Sequence, residues 1–152
     1  MKYVDTTISY KVIPDEISLV ITISECSYQC PNCNLPHLQK DIGKILNWNV
    51  LKELIKSNKG ITCICFYGGD ELNINLLAEN IRRVPIYDYL KIAWYTGADD
   101  ITDVTNFDYI KLGKYDVALT NPNTTQHFYE VCKIHKLPIR YILMDRTHLF
   151  WN

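Results

Sequence analysis

The chain has 152 residues, of which 47% are hydrophobic and 12% aromatic, and its 16 basic and 17 acidic side chains give a net charge of −1. This composition is typical of a single folded domain with a sizeable core, and it excludes global disorder. The near-neutral charge excludes a chain-wide attraction to nucleic acid or to an anionic membrane, so neither is expected as a partner.

The cellular compartment is expected to be the cytoplasm. No apolar run approaches the roughly 18 residues that a membrane span needs, and the first residues, MKYVDTTISYKV, lack the apolar core of a secretion signal. In a reducing compartment the six cysteines are candidates for metal ligands, nucleophiles or small buried residues, and not for a disulfide framework.

The first half of the chain alternates between strand and helix patterns. The β-branched, apolar stretch at 16–24 predicts a buried strand, and a cysteine-rich loop at 25–37 follows it. An apolar stripe at 47–60 predicts a helix that ends at Gly60. A second buried strand is predicted at 61–70, directly after this helix.

A second helix is predicted at 73–84, with Asn73 or Asn75 as its N-cap. The polar stretch 79–83 on this helix is interpreted as a solvated face. Because the buried strand at 61–70 contains Cys63 and Cys65 two positions apart, these cysteines share one face and are interpreted as small apolar core residues.

Four further elements follow: strands at 90–97 and 107–113, a helix at 124–136 and a strand at 138–144. The alternation of strand and helix predicts an α/β fold with a mainly parallel sheet. A complete eightfold β/α barrel takes about 250 residues. The sequence therefore predicts a partial, open β/α barrel, formed by residues 1–152 as one domain.

Glycines and polar residues follow several predicted strands. The cysteine loop, Gly68-Gly69-Asp70, Thr96-Gly97 and Gly113 all stand where a predicted strand ends. Ligands of parallel sheets bind at the carboxyl ends of the strands. We therefore expect these residues to lie on one rim of the sheet.

Three thiols, those of Cys26, Cys30 and Cys33, stand within eight residues of the loop. Thiolates are soft ligands that suit zinc or iron–sulfur clusters. With His37 as a fourth ligand they would form a structural Cys3His zinc site. Without it, a [4Fe–4S] cluster would keep one iron free of protein ligands, which is an open position for a substrate or cofactor. Three cysteines without any metal are the remaining interpretation.

The spacing Cys26-x3-Cys30-x2-Cys33 after a first strand resembles the signature of the radical S-adenosylmethionine (SAM) enzymes. Within that superfamily, the chain is most similar to the small activating enzymes of anaerobic (class III) ribonucleotide reductases. The segments that carry this resemblance are CSYQCPNCN at 26–34, YGGDEL at 67–72, WYTG at 94–97, FDYIKLGKYD at 107–116 and a degraded NPNTTQHFYEV at 121–131.

The resemblance implies an oxidoreductase that carries its chemistry on cofactors and not on a catalytic side chain. A [4Fe–4S] cluster on Cys26, Cys30 and Cys33 would bind SAM at its open iron and cleave it reductively. The resulting 5′-deoxyadenosyl radical would take a hydrogen from a glycine of the large reductase subunit. The implied partners are that glycyl-radical protein and an electron donor such as flavodoxin or a thioredoxin-type reductant.

The resemblance also implies a set of SAM contacts. Gly68 and Gly69 would let the backbone approach the cofactor closely because no Cβ intervenes. Asp70 would accept a hydrogen bond from the SAM ammonium group, although alone this triplet also fits an ordinary turn before a helix. The full implied set is Asn32, Cys33, Asn34, Gly68, Gly69, Asp70 and Thr96.

Two departures from the family pattern stand out. Asn32 occupies a position where the activating enzymes often have glycine, and Thr125-Gln126-His127 stands where they have Asn-Gln-Arg. Two alternative functions remain open on the sequence. One is a radical SAM enzyme that acts on another glycyl-radical enzyme or on a small molecule, and the other is a zinc-binding interaction module that uses His37.

Overall fold

The computed structural model describes residues 1–30, 32–116, 118–119 and 123–150. These ranges contain one sheet of eight strands in the order β3-β1-β2-β4-β5-β6-β7-β8. The strands are β1 (Lys2–Ser9), β2 (Ser18–Ile23), β3 (Lys44–Ile45), β4 (Cys63–Tyr67), β5 (Lys91–Tyr95), β6 (Tyr109–Leu112), β7 (His127–Ile134) and β8 (Arg140–Asp145). The α-helices are α1 (Trp48–Ser57) and α2 (Glu71–Arg82), and short 3-10 helices lie at Pro36–Gln39, Pro85–Tyr87 and Thr147–Phe150.

The prediction of a partial β/α barrel with a mainly parallel sheet is wrong. The sheet is mixed: β2, β4, β5 and β6 run parallel, whereas the pairs β1–β2, β1–β3, β6–β7 and β7–β8 are antiparallel. The fold is 23% helical and 30% strand, with two α-helices in the described ranges. Antiparallel strands need no crossover helix, so the strands at both ends of the chain enlarge the sheet without adding helices.

The central elements of the chain confirm the sequence pattern. Strands β2, β4, β5 and β6 and helix α1 each lie within a predicted range, and β8 extends one residue beyond its predicted range of 138–144. Helix α2 begins two residues earlier than predicted, and its N-cap is Asp70, not Asn73 or Asn75. Strands β1 and β3 were not predicted.

The predicted helix at 124–136 is wrong, because strand β7 occupies His127–Ile134. Phe128 is 1% exposed in the core, whereas its neighbours His127 and Tyr129 are exposed and partly exposed. Pairing with β6 on one side and β8 on the other satisfies the backbone of β7. Tertiary pairing therefore overrides the local helical pattern.

The sheet separates two apolar clusters. Both helices pack on one face, where Leu51 of α1 and Ile74 of α2 are fully buried against the strands. The opposite face carries a smaller cluster around Phe128, which includes Ile13 and the buried Cys65. No helix in the described ranges is long and apolar enough to cross a membrane.

Cys63 and Cys65 are both fully buried on this second face. Burial raises the pKa of Cys63 to about 12 and that of Cys65 well above its usual value. Both therefore stay as neutral thiols at physiological pH and act as small core side chains.

Arg82 connects the end of α2 to the sheet, so the stretch 79–83 is not a solvated face throughout. Its guanidinium donates to the carbonyls of Leu90 and Asn106 at 3.0 and 3.1 Å and pairs with Asp108. Asp108 in turn accepts the backbone N–H of Ile92 at 2.8 Å. Both charged side chains are about three-quarters buried, with 29% and 24% exposed.

We expect Arg82→Ala to lower the free energy of unfolding by about 2–3 kcal/mol, because it removes the guanidinium partner of Asp108 and the donor to two carbonyls. Arg83→Ala is the matched control, since Arg83 forms an exposed pair with Glu79, and such pairs contribute about 0.3–0.5 kcal/mol. Urea denaturation of both variants measures the difference. Equal losses would contradict this role for Arg82.

Candidate cofactor-binding cleft

The cysteine loop is anchored at its base by the backbone. Strand β2 ends at Ile23, and the next three residues each donate a backbone hydrogen bond to a neighbouring segment. Ser24, Glu25 and Cys26 donate to the carbonyls of Lys2, Lys40 and Leu38 at 3.1, 3.3 and 2.9 Å. The first cysteine therefore has a defined position at the end of β2, although the described residues at 27–30 and 32–35 form no helix or strand.

The three loop cysteines line one cleft at the carboxyl ends of β2, β4 and β5. Its volume is about 590 Å³, including the part open to solvent. Of the residues predicted to form the site, the structure brings together Cys26, Cys30, Cys33, Asn34, Gly68 and Thr96. The three cysteines are partly buried.

Three of the predicted contact residues lie elsewhere. Gly69 and Asp70 line a neighbouring, more polar cleft together with Ser24 and Glu25. Asn32 is exposed, has a φ of +52° and lines neither cleft. Its positive φ explains why glycine would suit this position.

The sequence offers His37 as a possible fourth zinc ligand, and Gln126 belongs to the Thr125-Gln126-His127 segment that departs from the family pattern. His37 is exposed on the 3-10 helix Pro36–Gln39 and does not line the cysteine cleft. Gln126 does line it, and its amide donates to the carbonyl of Gly113 at 3.1 Å. Of the segment 121–131, residues 121 and 122 lie outside the described residues.

Tyrosines form much of the cleft wall, which the sequence did not predict. Tyr28, Tyr67, Tyr95 and Tyr115 all line it, and the rings of Tyr67 and Tyr95 lie 5.7 Å apart. Burial raises the pKa of Tyr67 and of Tyr95, so both stay neutral. Such aromatic faces suit a flat ligand group such as a nucleobase. The sequence does contain one indication that these tyrosines line the cleft, because each of them stands beside a residue of a motif.

The thiols of the cleft influence one another electrostatically. Burial raises the pKa of Cys26, and negative charge on Cys30 and Cys33 raises it further. The backbone N–H of Leu35 lies 3.4 Å from the Cys33 sulfur and donates to it. Because three thiolates repel one another, a bound cation would favour their joint deprotonation.

Within the described ranges, no group of three or more His, Cys, Asp or Glu side chains is arranged to hold a metal ion. The donor chemistry of the cleft nevertheless fits a cluster with three cysteine ligands. Three soft sulfur ligands come from one loop and open on a common cleft. Among the described residues that line this cleft, no fourth cysteine and no histidine is present.

Comparisons with protein-family models, with curated proteins and with solved structures found no match for this chain. The functional interpretation therefore depends on the cysteine spacing and on the geometry of the cleft.

Gly97 docks the cysteine loop onto the end of β5. A Cβ atom at this position would lie 2.8 Å from both Cβ and Cγ of Tyr28. Real Cβ atoms essentially never approach other atoms so closely. The ring of Tyr28, between the first two cysteines, therefore lies directly against a residue that has no side chain.

We expect Gly97→Ala to destabilise the protein and displace the cysteine loop, because the added methyl group collides with Tyr28. The free energy of unfolding should fall by about 1–3 kcal/mol. Tyr28→Gly in the same chain removes both colliding atoms, so the double variant should lose less than the sum of the single losses. Additive losses in urea denaturation would contradict the contact.

Asp70 caps helix α2, whatever its role toward a ligand. Its carboxylate accepts the backbone N–H of Asn73 at 3.0 Å and the Asn73 amide at 2.9 Å. Burial acts to raise the pKa of Asp70, but these hydrogen bonds outweigh it and lower the pKa below its usual value. The charged form is therefore more stable in the folded protein than in the unfolded chain.

Asp70→Ala should lower the free energy of unfolding by about 1 kcal/mol at pH 7, whereas Asp70→Asn should retain most of the cap. Because the folded-state pKa is lowered, the contribution of the charge is present above the unfolded-state pKa of about 3.9. It is lost as the pH falls from there through the folded-state pKa. Denaturation at pH 7 and pH 2 checks this, and an Asp70→Ala loss that does not shrink in acid would contradict it.

Proposed function

We propose that this protein is a radical SAM activating enzyme that generates a glycyl radical on the large subunit of an anaerobic ribonucleotide reductase. The observation that carries the proposal is the cleft itself. Three cysteines with x3-x2 spacing open on it together with Gly68 and Thr96 from the ends of two neighbouring parallel strands.

Cys26, Cys30 and Cys33 are the residues that would hold a [4Fe–4S] cluster. When bound, the cluster and SAM supply a one-electron reductive cleavage that produces a carbon-centred radical. Among the described residues of the cleft, the chain would supply three sulfur ligands and no fourth ligand, because His37 lies outside it. That exposed position of His37 also disfavours the Cys3His zinc module.

The remaining cleft residues support binding of SAM. Gly68 has a φ of +92° and brings its backbone to the cleft wall, where no side chain keeps a ligand at a distance. Tyr67 and Tyr95 provide neutral aromatic faces.

The proposal includes two partners and a compartment. The large reductase subunit supplies the glycine, and an electron donor such as flavodoxin or a thioredoxin-type reductant supplies the electron. Free thiols and an iron–sulfur cluster both persist under reducing conditions, so the proposed compartment is the cytoplasm.

Alanine variants of the three cysteines test the proposal. After anaerobic reconstitution, we expect Cys26→Ala, Cys30→Ala and Cys33→Ala each to lose most bound iron and all 5′-deoxyadenosine production. Cys132→Ala is the matched control, since Cys132 is a partly buried cysteine on β7 that contacts Met144. It should keep both. Iron analysis and chromatography of the nucleoside products measure the outcome.

Retention of iron and product in any of the three loop variants would contradict the proposal. One bound zinc and no iron in the wild-type protein, lost in His37→Ala, would favour the zinc module. Electron paramagnetic resonance of a mixture with an anaerobic reductase then tests the substrate. Cleavage of SAM without a glycyl radical would assign the chain to another radical SAM reaction.

A further inference from the structure

The turn between Gly68 and Gly69 is held from the buried side of the sheet by Trp94. The indole Nε1–H of Trp94 donates to the carbonyl oxygen of Gly68 at 2.8 Å. Trp94 is 0% exposed, so its N–H cannot bond to water instead. A buried indole N–H needs a protein partner, and here that partner is the wall of the candidate cleft.

The same turn is held by a second hydrogen bond. The backbone N–H of Gly68 donates to the carbonyl of Tyr95 at 2.8 Å. Gly68 and Gly69 have φ angles of +92° and +85°, and two adjacent glycines have many alternative conformations. Because a peptide unit is planar and trans, fixing the Gly68 carbonyl also fixes the direction of the Gly69 N–H. The Tyr95 carbonyl therefore orients the peptide unit before Gly68, and the Trp94 indole orients the Gly68–Gly69 peptide unit that the glycines alone would leave free.

The ring of Trp94 is itself kept in place. Phe107, which is 4% exposed, stacks on it with ring centroids 5.9 Å apart and an angle of 27° between the planes. The indole cannot turn away from Gly68 without disturbing this contact. Trp94 therefore forms a rigid support behind the turn.

We infer that Trp94 is a positioning residue that pre-organises the backbone of Gly68, which lines the cysteine cleft, for ligand binding there. Trp94 does not line the cleft and acts only through the Gly68 carbonyl. Without its hydrogen bond, the ligand must order a flexible glycine pair when it binds, and this ordering weakens affinity. The identity of the ligand as SAM rests on the proposed function, whereas the support of the turn does not.

The first test uses the cofactor-free protein labelled with ¹⁵N-glycine, which has only six glycines. Trp94→Phe keeps a buried aromatic ring and removes the N–H donor. We expect it to shift the Gly68 and Gly69 amide resonances and to speed hydrogen exchange at Gly68. Ile92→Val is the matched control, because it perturbs the same buried cluster and keeps both Trp94 and Phe107. Unchanged glycine resonances in Trp94→Phe, or equal changes in Ile92→Val, would overturn the inference.

The second test measures SAM affinity of the reconstituted protein by equilibrium dialysis. Trp94→Phe should weaken binding about tenfold, which is the effect of losing one buried hydrogen bond, while Ile92→Val should bind like the wild type. The KM for SAM should rise with kcat close to the wild-type value, since the residue acts on binding. Wild-type affinity in Trp94→Phe would overturn the inference.

If Trp94→Phe does not fold, ¹⁵N-tryptophan labelling of the wild-type protein decides the point. Slow hydrogen exchange of the Trp94 indole N–H is expected, and rapid exchange would overturn the inference. Failure of the wild-type protein to bind SAM would contradict the proposed function. The glycine resonances would still test the support of the turn.

Discussion

The parallel arrangement of β2, β4 and β5 is the constraint on which the rest of the site depends. Their register aligns Ile21, Phe66 and Trp94 across the sheet, so the three strands end together at one edge. The cysteine loop, the Gly68 turn and the Thr96–Gly97 turn follow these ends. Residues far apart in the sequence therefore line one cleft, as the carboxyl ends of parallel strands do in other α/β folds.

The outer, antiparallel strands support the parallel strands β2, β4 and β5 and the cysteine loop. A β/α barrel has no antiparallel strands that could do so. The first residues of β1 contribute the Lys2 carbonyl, which accepts the N–H of Ser24 at the base of the cysteine loop. Both helices cover one face of the sheet, whereas Tyr67 and Tyr95 lie on the opposite face and extend into the cleft wall. The unequal covering of the two faces leaves room for a ligand beside the cysteines.

Sequence patterns predicted the central strands and their meeting at one rim, because buried parallel strands are continuous apolar runs and glycines mark their ends. They failed where pairing between distant segments decides the structure. The stretch at 127–134 has residues that fit a helix, but hydrogen bonding to two neighbouring strands makes it β7. The tyrosines that line the cleft and the hydrogen bond from Trp94 to Gly68 depend on which face of a strand packs against which loop. The order of residues along the chain does not specify that packing.

The central claim is that the cysteine cleft holds a [4Fe–4S] cluster with one iron open to SAM. Electron paramagnetic resonance of the reduced, anaerobically reconstituted protein, recorded before and after addition of SAM, tests it most directly. Direct ligation of the open iron predicts that SAM changes the signal of the reduced cluster. A cluster signal that SAM leaves unchanged, or iron-free protein after reconstitution, would contradict the account.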